Sequence, residues 1–567
     1  MNAPPAVVVL GQASVAVARQ LMSVLPNATL YGLAGRTIEV DVSFTDFGAT
    51  LRELFAAGTP IVGMCAAGIL IRTIAPLLSN KRYEPPVLAV AEDGSAVVPL
   101  LGGLQGVNDL ARQIAAVLNV QPAITTTGDI RFRTTLLNPP PGYHLANPDD
   151  AKTFISDLLA GSTVRLEGIA PWLSESKLPI APDAPLTLQV TESKGCPASD
   201  RLVYHPATLA IAVSNLSDSE LAIEFVQQIL DQSDLAIASV AGIFASDHEM
   251  GHPALEALSQ ALQVPIRFLD LASAEEIALN AAGELSQLLV SQQKSGLSCA
   301  IALASQPIDV TTIGRPRGQL TIVGTGPGGE KWMSPEVKDV LRSATDWVGY
   351  KFYLDLAGAL REGQQRHDSD NREELDRARF ALDLAATGKS VAVVSSGDPG
   401  IFAMAAAVFE VLEHDAKPEW LRLDIQVAPG ISAMQAAAAQ IGAPLGHDFC
   451  ALSLSDILKP WSVIEQRIAA AAQADLVMAF YNPISKQRTW QLGKAREILL
   501  QWRSPNTPIV LAQNLGRPGQ SVRVCTLEQF SPEDVDMRTV VLVGSSQTRS
   551  IPRPHGGVWV YTPRRYK

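Results

Sequence analysis

The sequence predicts an α/β protein built from several domains, on three observations. Short β-branched runs alternate with alanine-rich amphipathic stretches along most of the chain, as at 6–10, 60–64, 319–323, 390–394 and 507–511. Each run leads into a turn signal and then a helical period, the pattern of strands feeding crossover helices. Hydrophobic residues are 47% of 567, enough for several cores at a prior of about 150 residues per domain. Loop punctuation falls at Asn138-Pro139-Pro140-Pro141-Gly142, across 178–199, and across 292–318, which ends Ile313-Gly314-Arg315-Pro316-Arg317-Gly318. The main boundary is read at the last of these. Small α/β units at 1–135 and 201–315, joined by a middle segment at 136–200, precede one larger module at 318–567. No fixed-period repeat is visible.

Composition removes several function classes. A net charge of -12 with only 18% charged residues argues against a general nucleic-acid binder, which needs a basic face. The five cysteines lack CxxC spacing and make neither a zinc site nor a disulfide scaffold, so a reducing compartment is expected. The start, Met1-Asn2-Ala3-Pro4-Pro5, lacks a positive region, and the apolar run 7–10 is too short for a signal core. The most apolar later stretch, 427–445, is broken by Pro429, Gly430, Gly442 and Pro444, which rejects a membrane span. Asp247-His248-Glu249 with His252 reads as loop, and no metal site is expected. A soluble, cytoplasmic protein is the reading.

The chemistry-bearing elements come in order from residue 319. The strand 319–323 enters Gly324-Thr325-Gly326-Pro327-Gly328-Gly329, which satisfies GxGxxG. A dinucleotide site needs the helix to open inside that motif. Here Pro327 follows the second glycine, and the helix is predicted only from the N-cap Ser334, with Pro335 at the first position and Glu336 and Asp339 in the first turns. That disfavours a nicotinamide-dependent oxidoreductase. A strand at 391–395 enters Ser396-Gly397-Asp398-Pro399-Gly400 and a helix predicted from Ile401, with Asp398 expected to cap it. A third strand, 424–428, enters Pro429-Gly430-Ile431-Ser432-Ala433 and an alanine-rich helix. Ligands of open α/β sheets bind beyond the carboxyl ends of strands. Three glycine loops at three such ends predict one ligand site.

These three loops resemble those of the tetrapyrrole methylases, S-adenosylmethionine-dependent enzymes with two α/β subdomains and a cofactor cleft between them. Further segments are more discriminating: Val348-Gly349-Tyr350-Lys351-Phe352-Tyr353, and Ser453-Leu454-Ser455-Asp456-Ile457-Leu458-Lys459-Pro460-Trp461 with Ile464-Glu465. Tyr481-Asn482-Pro483 with Arg488, Asn514-Leu515-Gly516-Arg517, and Thr562-Pro563-Arg564-Arg565-Tyr566 complete the set. They resemble the branch of the family that methylates carbon 17 of precorrin-3B and contracts the macrocycle in cobalamin biosynthesis. The segment 455–461 disfavours a C11 or C20 methylase. A tetrapyrrole-binding carrier is the alternative of a different class.

The amino-terminal part resembles the cobalt-precorrin-5A hydrolase group. The carrying residues are Gly68-Ile69-Leu70-Ile71-Arg72, Ala75-Pro76-Leu77-Leu78, Lys81, Leu100-Leu101-Gly102-Gly103, Asn108-Asp109-Leu110-Ala111 and Thr125-Thr126-Thr127-Gly128-Asp129. Where that group carries histidine after the second glycine, this chain has Leu104-Gln105. Leucine cannot activate water, so a non-hydrolytic scaffold is expected. Loss of that chemistry also points to the metal-free, oxygen-dependent route.

The resemblance implies roles by position. Pro327, Ser396, Gly397, Asp398, Ile401, Ser432, Ala433 and Asn482 are the expected S-adenosylmethionine residues, with Ile401 against the adenosine. Tyr350, Tyr353, Asp456 and Tyr481 are the expected catalytic residues, and Lys351 and Ser455 are expected to handle substrate. Methyl transfer needs in-line approach at near contact, while ring contraction moves protons. Precorrins carry many carboxylates, for which Arg488, Arg517, Arg549, Arg553, Arg564 and Arg565 are the expected rim. The family also implies a homodimer and transfer of product to neighbouring enzymes of the pathway.

Overall fold

The computed structural model describes residues 4–565 except 82, 362, 371 and 372. The chain forms two compact units, Met1–Gly314 and Arg315–Lys567.

The first unit holds three sheets. A six-stranded sheet runs in the order Val42–Phe44, Thr29–Leu33, Ala6–Val9, Ile61–Met64, Val87–Val90, Val97–Leu101, parallel except for the last pairing. All four residues of Ala6–Val9 are buried because helices cover both faces. Val7 and Val9 pack into one core, and Ala6 and Val8 into the other. A five-stranded sheet at the end of the unit is ordered Ile266–Leu269, Val240–Ser246, Leu209–Ser214, Leu297–Leu303, Gln287–Lys294.

Between them lies a four-stranded sheet, Tyr143–Leu145, Arg201–Pro206, Leu186–Val190, Val164–Glu167, and this corrects the boundary expected at residue 200. Arg201–Pro206 pairs in parallel with Leu186–Val190, so it belongs to the middle module. Phe132 also joins that module's core, and the buried Tyr204 hydroxyl donates to the Leu136 carbonyl at 2.7 Å. The polar stretch before residue 201 is a connection within one sheet. Its composition resembles a linker because both are solvated turns.

The second unit also begins with a sheet buried on both faces. Its five parallel strands run in the order Gln365–Ser369, Asp346–Tyr350, Ser390–Ser395, Gln319–Gly324, Asp424–Ala428. Helices Glu374–Ala386 and Met404–Asp415 cover one face, and Pro335–Ser343 packs on the other. Ser334 caps the last of these as its sequence predicts, its hydroxyl accepting the Val337 amide at 3.2 Å with Pro335 at the first position. A second, mixed sheet follows in the order Phe449–Ser453, Val477–Tyr481, Thr539–Val543, Pro508–Gln513, Ser521–Thr526. A ribbon of Gly442–Ala443, Val558–Tyr561 and Arg549–Pro552 completes the unit.

One helix starts later than predicted. The helix after the Ser396 loop opens at Met404, with Ala403 as its N-cap, because Phe402 takes a left-handed φ of 52°. Asp398 therefore does not cap it.

Candidate functional site

The three glycine loops meet because their strands are neighbours in the first sheet. Gly326 and Gly397 exchange backbone hydrogen bonds at 3.1 and 2.8 Å, while the Thr325 amide donates to Ser395 at 2.9 Å. The Asp398 carboxylate joins the second loop to the third, accepting the Gly400 amide at 2.9 Å and the Gly430 amide at 3.2 Å. Glycine is required where these loops touch. A Cβ on Gly430 would lie 2.1 Å from the Gly397 carbonyl oxygen and 2.5 Å from that of Gly324. Ser432 ends the third loop as an N-cap, in a reciprocal capping box with Gln435.

These loops form one wall of a cleft of about 530 Å³ between the two sheets of this unit. Pro327, Ser396, Gly397, Asp398, Ile401, Ser432, Ala433 and Asn482 all line it. So do Tyr350, Tyr353 and Tyr481. Burial pushes the Tyr353 phenol above its ordinary range; Tyr350 and Glu374 add to this, and Arg517 and Arg377 oppose it. Burial also raises Tyr481, whose hydroxyl accepts the Met434 amide at 3.1 Å and so anchors the third loop. Asn482 has a left-handed φ of 50°, and its amide nitrogen donates to the Ser453 hydroxyl at 3.2 Å.

Asp456 does not line the cleft, which corrects its expected catalytic place. Its carboxylate accepts the Gln491 side-chain amide at 2.9 Å. Ser455 and Lys351 also lie outside the lining; the Ser455 hydroxyl accepts from Arg488 at 3.2 Å, and Lys351 is exposed. Of the six rim arginines, Arg517 alone lines the cleft. Arg488 is 4% exposed and donates to the Asn482 carbonyl at 2.9 Å, fixing that loop from behind. Arg553 stacks on Trp559 at 5.1 Å, while Arg549, Arg564 and Arg565 are exposed elsewhere. Tyr566 lies outside the described residues.

Sequence reasoning missed Phe352, Glu374, Arg377, Phe402 and Arg538, which also line the cleft. Phe352 and Phe402 sit beside motif residues, so their neighbours were a usable signal. Arg377, on a helix with an ordinary polar pattern, offered none.

The family profile of tetrapyrrole (corrin/porphyrin) methylases matches residues 319–531. The precorrin-3B C(17)-methyltransferase of Sinorhizobium sp is 49% identical over 249 residues, which is 44% of this chain and 97% of that protein. The chain belongs to the tetrapyrrole methylase family. All twelve expected cofactor and catalytic residues fall inside the methylase match. The cobalamin biosynthesis protein CobIJ of Mycobacterium bovis is 45% identical over 309 residues, 51% of this chain; the chain spans 59% of that relative's length. A crystal structure of the methyltransferase CobJ is 51% identical, covering 43% of this chain and 100% of its own, with a TM-score of 0.41.

A second family profile, cobalamin synthesis G N-terminal, matches residues 49–129. Residues quoted from that region converge on one cluster. The Asn108 side-chain amide donates to the buried Asp129 carboxylate at 2.7 Å and to Thr126 at 3.1 Å, and Arg112 pairs with Asp129 at 2.5 Å. Leu104 lies in a short turn, Gly103–Gln105, flanked by left-handed Gly102 and Gly106. Among the described residues no group of three His, Cys, Asp or Glu could hold a metal; His252 instead caps helix Pro253–Leu262. Among the described residues no helix is long and apolar enough to cross a membrane.

Proposed function

We propose that the second unit transfers a methyl group from S-adenosylmethionine to carbon 17 of precorrin-3B, with ring contraction to precorrin-4. The observation that carries this reading is the convergence of three strand-end glycine loops on one cleft, with eight expected cofactor residues and three tyrosines in its lining. The name of the Sinorhizobium relative, matched over nearly all its length, supports the choice of substrate.

The residues present fit the cofactor. Gly397 has a φ of 71°, and a Cβ there would meet nothing within 4 Å, so the loop leaves open space at the cleft wall. Ile401, Ala433, Ala512, Leu515 and Val540 offer an apolar side, and Ser396, Asn482 and Arg517 a polar one. That division suits adenosine on one side and an amino-acid zwitterion on the other. Bound there, the sulfonium supplies an electrophilic methyl group. The chain's own contribution is largely positioning, since the attacking carbon belongs to the substrate. Asp398 ties the second loop to the third from within the lining, and Arg488 holds the Asn482 loop from behind. The Tyr353 hydroxyl, kept protonated by its burial, is the donor for the carbonyl that develops during contraction.

The first unit is proposed to be a scaffold without hydrolase activity, since Leu104 offers no group to activate water. The same residue supports a metal-free substrate. The proposal includes a cytoplasmic homodimer that hands its product to the next enzyme of the pathway, with the oligomeric state read by sedimentation. Calorimetric titration of S-adenosylhomocysteine into the full chain tests the site first. Binding that is lost in Asp398→Arg supports it, as does a one-methyl mass gain on precorrin-3B. Absence of binding by the folded wild-type chain rejects the cofactor reading and favours a carrier.

A further inference from the structure

Phe402 lines the cleft in a conformation that an aromatic residue rarely adopts. Its φ of 52° puts a bulky side chain in the left-handed region, where backbone strain persists only when surrounding structure imposes it. The ring is nonetheless 47% exposed, so burial of the side chain does not account for it. One edge leans on Tyr481, with centroids 5.4 Å apart. The Lys459 ammonium lies 5.8 Å from the ring centre. Lys459 belongs to the loop after Phe449–Ser453, on the second sheet, so ring and ammonium come from opposite lobes of this unit. The ring lines the cleft, and the ammonium stands beside the ring, outside that lining.

Lys459 is partly buried, and among the described residues its ammonium has no carboxylate in ion-pair contact. The charge acting on it is another cation, Arg467, and burial and that neighbour both push its pKa down. A cation set beside a cation, without an anion, costs free energy that a bound anion recovers. A flat face held under strain and an uncompensated ammonium above it are complementary to one kind of ligand: a planar conjugated ring with carboxylates on its rim.

We infer that Phe402 and Lys459 form the subsite that seats the tetrapyrrole, Phe402 stacking under the macrocycle and Lys459 pairing with a peripheral carboxylate. This rests on the reading of the cleft as a methylase site, and it adds two residues to those expected from the sequence. The carboxylate could also come from the cofactor's amino-acid end, and titrating each ligand separately distinguishes the two sources.

The test titrates uroporphyrin, an unreactive octacarboxylate, into the full chain by fluorescence, with S-adenosylhomocysteine titrated in parallel by calorimetry. Phe402→Leu is expected to weaken uroporphyrin about tenfold, and Lys459→Met about fivefold with a shallower salt dependence. Lys459→Arg is expected to restore both affinity and salt dependence. S-adenosylhomocysteine affinity should stay unchanged in all three variants. Phe402→Gly, which relieves the backbone strain, is expected to keep or raise the melting temperature while losing porphyrin affinity. Wild-type chain that does not bind uroporphyrin, or variants that bind it as tightly as wild type, overturn the inference. So does a parallel loss of both ligands, which would make Phe402 a support of the cofactor loops. Failure of the wild type to bind S-adenosylhomocysteine is a separate result and falls on the methylase reading itself.

Discussion

Arg517 donates through Nη2 to the Ser396 hydroxyl at 2.8 Å, and through Nε to the Pro327 carbonyl at 2.7 Å. The contact spans the cleft, since Arg517 follows a strand of the second sheet while Ser396 and Pro327 belong to loops of the first. Backbones also meet there: a Cβ on Gly328 would fall 2.3 Å from the Gly516 carbonyl oxygen. The two lobes are therefore joined at the glycine loops themselves.

Removing that guanidinium should loosen the loops more than the fold. Arg517→Met is expected to weaken S-adenosylhomocysteine about ten- to hundredfold, the effect of losing one or two charge-assisted hydrogen bonds. Arg517→Lys should recover little, because one ammonium cannot reproduce the fork. Calorimetry on both variants, with a melting scan as control, checks it; wild-type affinity in Arg517→Met would mean the contact does not organise the loops.

Two glycines of the loops should respond in opposite ways to one methyl group. Gly430→Ala drives a Cβ into two backbone oxygens, so the second unit should lose about 3 kcal/mol or more, visible as a drop in its melting temperature. Gly397→Ala meets no atom within 4 Å and should cost only about 1–2 kcal/mol for its left-handed backbone. Its methyl enters the cleft, however, and should block S-adenosylhomocysteine. Tight binding by Gly397→Ala would place the cofactor elsewhere.

For Tyr353, burial raises the phenol pKa against the opposing pull of Arg517, so the hydroxyl keeps its proton through neutral pH. Tyr353→Phe should leave S-adenosylhomocysteine affinity within about twofold and slow turnover of precorrin-3B about 100-fold, the scale of a lost general acid. Full activity in Tyr353→Phe would remove the hydroxyl from the mechanism.

Asp346, 1% exposed, sets the acid limit of the second unit. Burial alone would raise its carboxyl pKa. Hydrogen bonds from His367 at 2.7 Å, Thr345 at 2.8 Å and Lys389 at 3.1 Å outweigh burial and hold it below the ordinary value. A depressed carboxyl stabilises the fold fully above its unfolded pKa and loses that contribution as pH falls through the folded one. Asp346→Asn should cost about 1–2 kcal/mol at neutral pH, because Asp346 is buried while its partner Lys389 is 36% exposed and water screens much of the lost charge. Denaturant titrations should find the gap between the two proteins narrowing in acid, below the ordinary carboxylate pKa. A gap independent of pH would mean that the pair is not linked to stability.

The site was legible wherever its signals were local. Ser334-Pro335 reads as a helix start because cap and first turn are adjacent in sequence, and the glycine loops read as strand ends because β-branched runs precede them directly. Asp398 was misread for the complementary reason. Beside glycine and ahead of an apolar run it has the pattern of a cap, yet its carboxylate is taken by the Gly430 amide, 32 residues away. Asp456 and five of the six rim arginines failed in the same way: residue type was suggestive, but placement depended on a partner such as Gln491 or Trp559 that spacing does not reveal. Arg201–Pro206 shows the same limit at the scale of a sheet. Its strand character is local, but its membership of the middle module follows from pairing with Leu186–Val190.

The sequence by itself determined the α/β class, the three glycine loops and the family they mark. Each of these is written in short-range periodicity or in contiguous residues. Only the tertiary structure decided that Arg517 crosses to Ser396, that Phe402 is held with a left-handed backbone beside Lys459, and that Asp456 pairs with Gln491 outside the cleft lining. Those facts depend on which side chains meet across strands far apart in the chain, and packing and hydrogen-bond satisfaction settle that over the whole unit at once.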